Sequence, residues 1–144
     1  MKELSLHILD IAQNSINALA NIIRITVKED TSRDELIILV EDNGQGMDKE
    51  TINKVKDPFF TSRNTRKVGL GIPLLQAAAK RCGGDLKIQS EPGKGTRVTA
   101  YFIDSHIDRA PLGNLCDTLL SLIVCNELID ILELKRHLKR KEPV

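Results

Sequence analysis

Leu4, Ile8, Ile11, Ala12, Ser15, Ile16 and Leu19 recur at intervals of three and four residues, and that period predicts a helix over residues 3–20 with one core-facing arc. The period then drops to two. Ile23, Ile25 and Val27 alternate with Arg24 and Thr26, and after a polar turn at Thr31–Asp34 comes the run LIILVED (36–42), so the two runs predict an antiparallel hairpin. Asp48 suits the N-cap of a short helix reaching about Lys56. DPFFTSRNTRKV reads as an irregular, basic loop. Gly69-Leu70-Gly71 leads into Pro73, a residue favoured at a first helical position, and an Ala-rich helix runs on to Cys82 before Gly83–Gly84. LKIQS and TRVTAYF, joined by EPGKG, form a second hairpin. This order, without an internal repeat, fits an α+β two-layer sandwich, with a mostly antiparallel sheet covered by helices on one face. Residues 1–104 make that domain. Residues 105–144 read as a helical C-terminal extension, helical from about Leu115 with a break near Asn126.

Composition narrows the picture mainly by exclusion. A chain of 144 residues sustains one core and one site. Its 21 Lys and Arg nearly cancel its 20 Asp and Glu, which gives no footprint for a nucleic acid or a membrane surface. No apolar run approaches the roughly 20 residues of a bilayer span. Charge within MKELSLHILD excludes a secretory h-region, so a cytoplasmic location is expected. Cys82, Cys116 and Cys125 form no CxxC pair, and their odd number argues against a disulfide framework. They read as buried small hydrophobes.

Chemistry concentrates in three places. At about 100° per residue, His7, Asp10, Asn14 and Asn17 fall on one stripe of the first helix, opposite its apolar arc. Solvent faces favour Lys, Glu and Arg, and a mid-helix Asn or Asp costs up to about 0.7 kcal/mol relative to Ala. Two asparagines there point to a task, and a carboxamide oxygen can ligate Mg²⁺ without adding charge beside phosphates. In VEDNGQGM, Asp42 ends a buried strand, and Gly44 and Gly46 follow it. A carboxylate so placed can accept from the exocyclic amine of adenine and would repel the O6 of guanine; the alternative for the segment standing alone is an ordinary Asx-Gly turn. The amides opening the helix after Gly69-Leu70-Gly71 suit phosphate, or simply a tight loop-to-helix connection.

Together, DIAQNSINALA, EDNGQGM, DPFFTSR, GLGI and GKGT resemble, in order, the N, G1, F and G2 boxes and closing GT element of one ATPase superfamily. Its members include gyrase, MutL-type mismatch-repair proteins, the ninety-kilodalton chaperones and histidine kinases. The F and GLGI segments look most like histidine kinases. The resemblance implies the Bergerat sandwich of this GHKL family, ATP as ligand, Asn14 as the Mg²⁺ ligand and Asp42 as the adenine reader. It further implies Gly44, Gly46 and Met47 around the base, with Thr96 near it. Gly69, Leu70 and Gly71 fall at the phosphates, and residues 57–68 become a mobile lid.

Two positions depart from the histidine kinase pattern. Asp10 stands where hydrolysing members carry a catalytic Glu and many histidine kinases an Asn; it is a candidate general base. Asn17 replaces a phosphate-contacting Lys, leaving Arg63, Arg66 and Lys67 either to meet the phosphates or to sit in a solvated loop. Phe59 and Phe60 either anchor to the core or latch the lid over nucleotide.

The usual dimerising acceptor hairpin does not precede the first site helix in this sequence. The segment SHIDRAPL (105–112) resembles an acceptor box, making His106 a candidate phosphoacceptor; a capped turn explains it as well. Leu115, Leu119, Leu122 and Ile123, with Leu128, Ile131 and Leu132, either cover the domain or make a homodimer surface. Two functions stay open. One is a stand-alone ATP-binding domain passing phosphoryl to a His or Ser of a partner protein in two-component signalling. The other is an ATP-gated regulatory module, anti-sigma-like and without catalysis.

Overall fold

Alternating apolar residues from four strands meet the arcs of three helices in one core, in a computed structural model that describes residues 3–57, 71–125 and 129–140. In chain order the elements are α1 (Leu4–Asn17), β1 (Ile22–Asp30), β2 (Glu35–Asp42), α2 (Lys49–Val55), α3 (Gly71–Arg81), β3 (Asp85–Glu91), β4 (Gly95–Ile103), α4 (Leu115–Cys125) and β5 (Ile131–Lys139). The strands form one sheet in the order β3-β4-β2-β1-β5. Its three inner junctions are antiparallel, and β5 joins β1 in parallel. The α+β sandwich expected from the sequence, with a mostly antiparallel sheet, is the observed architecture.

Register explains which face is covered. Val40 pairs with Val98, Ile38 with Ala100 and Leu36 with Phe102, all of them buried, so these pairs share the helix-facing side. Ile8, Ile11 and Leu75 close over them from α1 and α3, and burying each contributes about 1.5–3 kcal/mol. Asp48 caps α2 as expected, accepting from the Thr51 N–H at 2.8 Å.

The extension departs from its expected all-helical form. Leu115–Cys125 is a helix, and it buries Leu115, Leu119 and Leu122. Residues 131–139, expected to continue helically, are instead an extended strand matched to β1 from Ile22↔Ile131 to Asp30↔Lys139. The free edge of β1 satisfies backbone groups that a short, solvated helix would leave partly to water, and the alternation Leu132, Leu134 supplies a half-buried face. The cysteines also divide. Cys82 is buried, and that burial pushes its thiol upward, whereas Cys116 is exposed rather than a core residue.

Asp104 follows the last residue of β4, at the end of the strand remote from the glycine turns, and is only 7% exposed. Burial raises its carboxyl to about 6, assisted by a hydrogen bond and the charge of Glu29, with Asp34 adding to the rise and Arg109 opposing it. A carboxyl raised above its unfolded value lets the native state hold a proton that the unfolded chain has lost. The resulting stability is fully present below about pH 4 and disappears as pH rises through about 6. Asp34 and Asp48 are shifted downward by hydrogen bonds from Ser105 and Thr51, so their contributions are lost only at still lower pH. Urea unfolding should show stability falling by about 1 kcal/mol from pH 5 to pH 7. Asp104→Asn should flatten that slope, and an unchanged slope would remove Asp104 as its source.

Candidate functional site

The first turn after β2 meets the C-terminal half of α1 at a cavity of about 260 Å³. Its walls are apolar: Ile11, Ala18, Val40, Val55, Ile72 and Val98 come from five different elements and the α1–β1 turn. Such a wall suits a flat heteroaromatic face, with a few polar groups fixing its orientation.

Asp42 is the chief polar group. It ends β2 opposite Thr96, the second residue of β4. One carboxylate oxygen, Oδ1, accepts from the Gly44 N–H at 2.9 Å, and Oδ2 accepts from the Ser15 hydroxyl at 2.6 Å. Both oxygens are thus aimed by short bonds while keeping lone pairs for a further donor. Gly44 is held so close to α1 that an added Cβ would stand 2.7 Å from the Ala18 carbonyl oxygen. Gly46 has φ +72°, and a Cβ there would run into the Glu91 carbonyl. The turn can therefore tuck under the β3–β4 hairpin only without side chains at these two places.

A hydroxyl pair finishes that wall. Ser90 Oγ accepts from the Met47 N–H, and it lies 2.8 Å from both the Gly95 carbonyl oxygen and Thr96 Oγ1. Met47 and Thr96 thereby line the same cavity as Asp42. Asn43, between Asp42 and Gly44, accepts from the backbone N–H groups of Asn21 and Ile22 at 3.0 Å each. Asn21 in turn donates to Asp130 at 2.7 Å, so the turn is tied to the entry of β5.

Asn14 and Asn17 line the mouth of the same cavity from α1. The Asn14 side-chain nitrogen is buried and has no hydrogen-bond partner among the described residues. That nitrogen does not tie the carboxamide to the protein, and its oxygen is a neutral ligand of the kind Mg²⁺ accepts at the cavity wall, so the residue fits an Mg²⁺ ligand. Among the described residues no cluster of three His, Cys, Asp or Glu could hold a metal ion by itself. An ion here would rely on Asn14 and on ligand oxygens, the usual habit of Mg²⁺.

The remaining expected residues divide. Asp10 packs beside Gly71, the first residue of α3, one helical turn from Asn14. His7, placed by its spacing on the nucleotide stripe, is 5% exposed and lines a separate 160 Å³ cavity with Leu74, Arg81 and Phe102. Its stripe passes beneath α3, so the helix changes neighbours along its length. Phe59, Arg63, Arg66, Lys67, Gly69 and Leu70 lie outside the described residues. His106 occupies a turn after β4, where its Nδ1 accepts from the Asp108 N–H at 3.1 Å. That turn is tethered to Asp34 by Ser105, at the far end of β2 from Asp42, about 23 Å along the strand.

Ser15 and Ser90 are the site residues that sequence reasoning did not single out. Ser15 counted as one member of the apolar arc of α1. The available signal was a hydroxyl among buried aliphatic positions, because a buried hydroxyl must find a partner.

No helix among the described residues is long and apolar enough to cross a membrane. Among curated proteins, the chain is 35% identical over 97 residues to a putative sensor protein of Shewanella frigidimarina, covering 66% of this chain and 15% of that one. It is 32% identical over 88 residues to sporulation kinase C of Bacillus subtilis, 61% of this chain and 20% of the relative. It is 37% identical over 92 residues to the sensor protein kinase FleS of Pseudomonas aeruginosa, 64% and 23% respectively. The chain thus spans less than a quarter of the length of these relatives. Residues 2–106 match the family model described as histidine kinase-, DNA gyrase B- and HSP90-like ATPase, and with the sheet and cavity just described this chain belongs to that family of ATP-binding domains.

Proposed function

We propose that the chain binds MgATP in the Asp42 cavity and passes the γ-phosphoryl group to a histidine, or a serine, of a partner protein in two-component-type signalling. The observation that carries this reading is the carboxylate of Asp42, oriented by Ser15 and Gly44 in a largely apolar cavity of about 260 Å³. In that cavity it accepts from the adenine amino group, and Thr96 and Met47 flank the base. Asn14 holds the cation. Bound Mg²⁺ supplies neutralisation of phosphate charge, which with positioning is most of what phosphoryl transfer asks of a protein. In the transfer, the bond from the γ-phosphorus to its bridging oxygen breaks and ADP leaves with the electron pair. The lone pair of the acceptor nitrogen or oxygen forms the new bond, and Asp10 is the group we assign to take the proton then released, from the serine hydroxyl itself or from the other ring nitrogen of a histidine.

His106 stands at the opposite end of β2 from Asp42, which argues against it as the acceptor for its own pocket. Sporulation kinase C and FleS are kinases by name, which favours transfer over binding alone.

Calorimetric titration with ATP, with and without magnesium, followed by incubation with γ-labelled ATP and a candidate acceptor domain, tests the reading. Binding, and acid-labile label on the acceptor, are expected. Asn14→Ala should abolish most of the magnesium-dependent gain in affinity, about tenfold, while retaining magnesium-free binding. Binding without label or released phosphate would overturn transfer and favour an ATP-gated regulatory module.

A further inference from the structure

β5 is the outermost strand, and its second edge pairs with nothing among the described residues. On the helix side, register places Leu132, Leu134, Arg136 and Leu138 level with the buried face of β1, yet Arg136 and Leu138 are exposed. α4 lies beside them without closing over them. Cys116 of α4, Leu134 and Arg136 line one shallow groove between helix and strand.

α4 itself carries more apolar surface than it buries. Leu115, Leu119 and Leu122 face the core, packed against α1. Cys116, Leu120, Ile123 and Val124 form a second arc, spaced i, i+4, i+7 and i+8, and the last three are 54%, 52% and 78% exposed. No charged residue interrupts that arc. Because Cys116 lines the groove over β5, the arc begins on the flank of α4 that looks toward the open sheet edge.

We propose that β5 and this flank of α4 form a twofold interface with a second copy of the chain, in which β5 pairs antiparallel with its own counterpart. A twofold axis normal to the sheet keeps both helix layers on one side. The two α4 helices then meet over the seam, covering the arc and the exposed leucines together. Such an arrangement completes the backbone pairing of a strand edge that otherwise invites uncontrolled association.

Charge selects the register. In an antiparallel pair, directly opposed residues share a face. With the axis at Leu134, Leu134 meets its own copy and Glu133 meets the second chain's Lys135 twice, with no like charges directly opposed. Sliding the axis to Lys135 sets lysine against lysine, and sliding it to Arg136 sets arginine against arginine. The charges therefore match in the Leu134 register, and a second copy supplies the complement. Strand reversal also sends the two Asp42 cavities to opposite ends of the joined sheet, leaving both open.

Sedimentation equilibrium on the full chain tests this. The wild type should be a dimer at micromolar concentration. Glu133→Lys and Lys135→Glu each make two opposed pairs repulsive and should weaken self-association roughly tenfold or more. An equimolar mixture of the two variants restores both pairs and should associate as tightly as the wild type. A purely local role for the Lys135–Glu133 contact of 3.1 Å within one chain cannot produce that rescue. Leu120→Lys, at an already exposed position, should also yield a folded monomer by circular dichroism. A monomeric wild type, dimerisation indifferent to these substitutions, or a mixture no better than either variant would overturn the proposal.

Discussion

Asp42→Ala should lower ATP affinity about 10- to 100-fold, the 1–3 kcal/mol lost when a buried, charge-assisted acceptor is removed. The fold should survive the change. Among the described residues Asp42 accepts from the Gly44 N–H and the Ser15 hydroxyl, and leaving those donors without a partner costs about 1–3 kcal/mol each. Asp42→Asn separates charge from shape. It should weaken ATP nearly as much while relaxing discrimination against GTP, because an amide nitrogen can donate to the guanine O6 that a carboxylate repels. Ser15→Ala should lie between wild type and Asp42→Ala, since it frees the carboxylate without removing it. Titrations that place both Asp42 variants on the wild-type curve would reject the assignment of the adenine-reading group.

Gly46→Ala should produce a large loss of stability for a single added methyl. Two costs add. At φ +72° an L-residue is strained by about 1–2 kcal/mol, and the new Cβ has nowhere to go, because the Glu91 carbonyl occupies its position. Either the β3–β4 hairpin or the Asp42 turn must move, and the total should reach about 2–4 kcal/mol in urea unfolding. Ser90, which accepts from the Met47 N–H and touches Thr96, would be displaced with it, so nucleotide binding should fall even below the unfolding transition. An alanine variant with wild-type stability and wild-type titrations would show that the turn is not confined as described.

Much of the site was legible from spacing alone. Asp42, Gly44, Gly46 and Met47 are consecutive or nearly so, so their grouping survives whatever the rest of the chain does. Asn14 and Asn17 stand one helical turn apart, and helical geometry puts them on one face before any packing is known. Thr96 came from the resemblance and not from spacing: it lies opposite Asp42 through the β2–β4 pairing, which neither hairpin predicts.

Where the reading failed, tertiary partners decided. His7 shares its stripe with Asn14, but α3 crosses α1 and divides it, burying His7 against Leu74 and Phe102 and leaving Asn14 at the cavity. Ser15 belongs to the apolar arc by position and to Asp42 by contact, a link spanning 27 residues that no local period reveals.

The amino-acid order by itself determined the hydrophobic periods, the turns and therefore the α1-to-β4 frame, with its carboxylate at a strand end and its amide on a facing helix. These are local properties, set by how side chains repeat over one or two turns or pleats. Only the tertiary structure decided the conformation of residues 131–139, whose leucines satisfy a helical or an alternating pattern equally. The open edge of β1 resolved that ambiguity, because backbone hydrogen bonds to a waiting strand outweigh the weak intrinsic preference of nine residues.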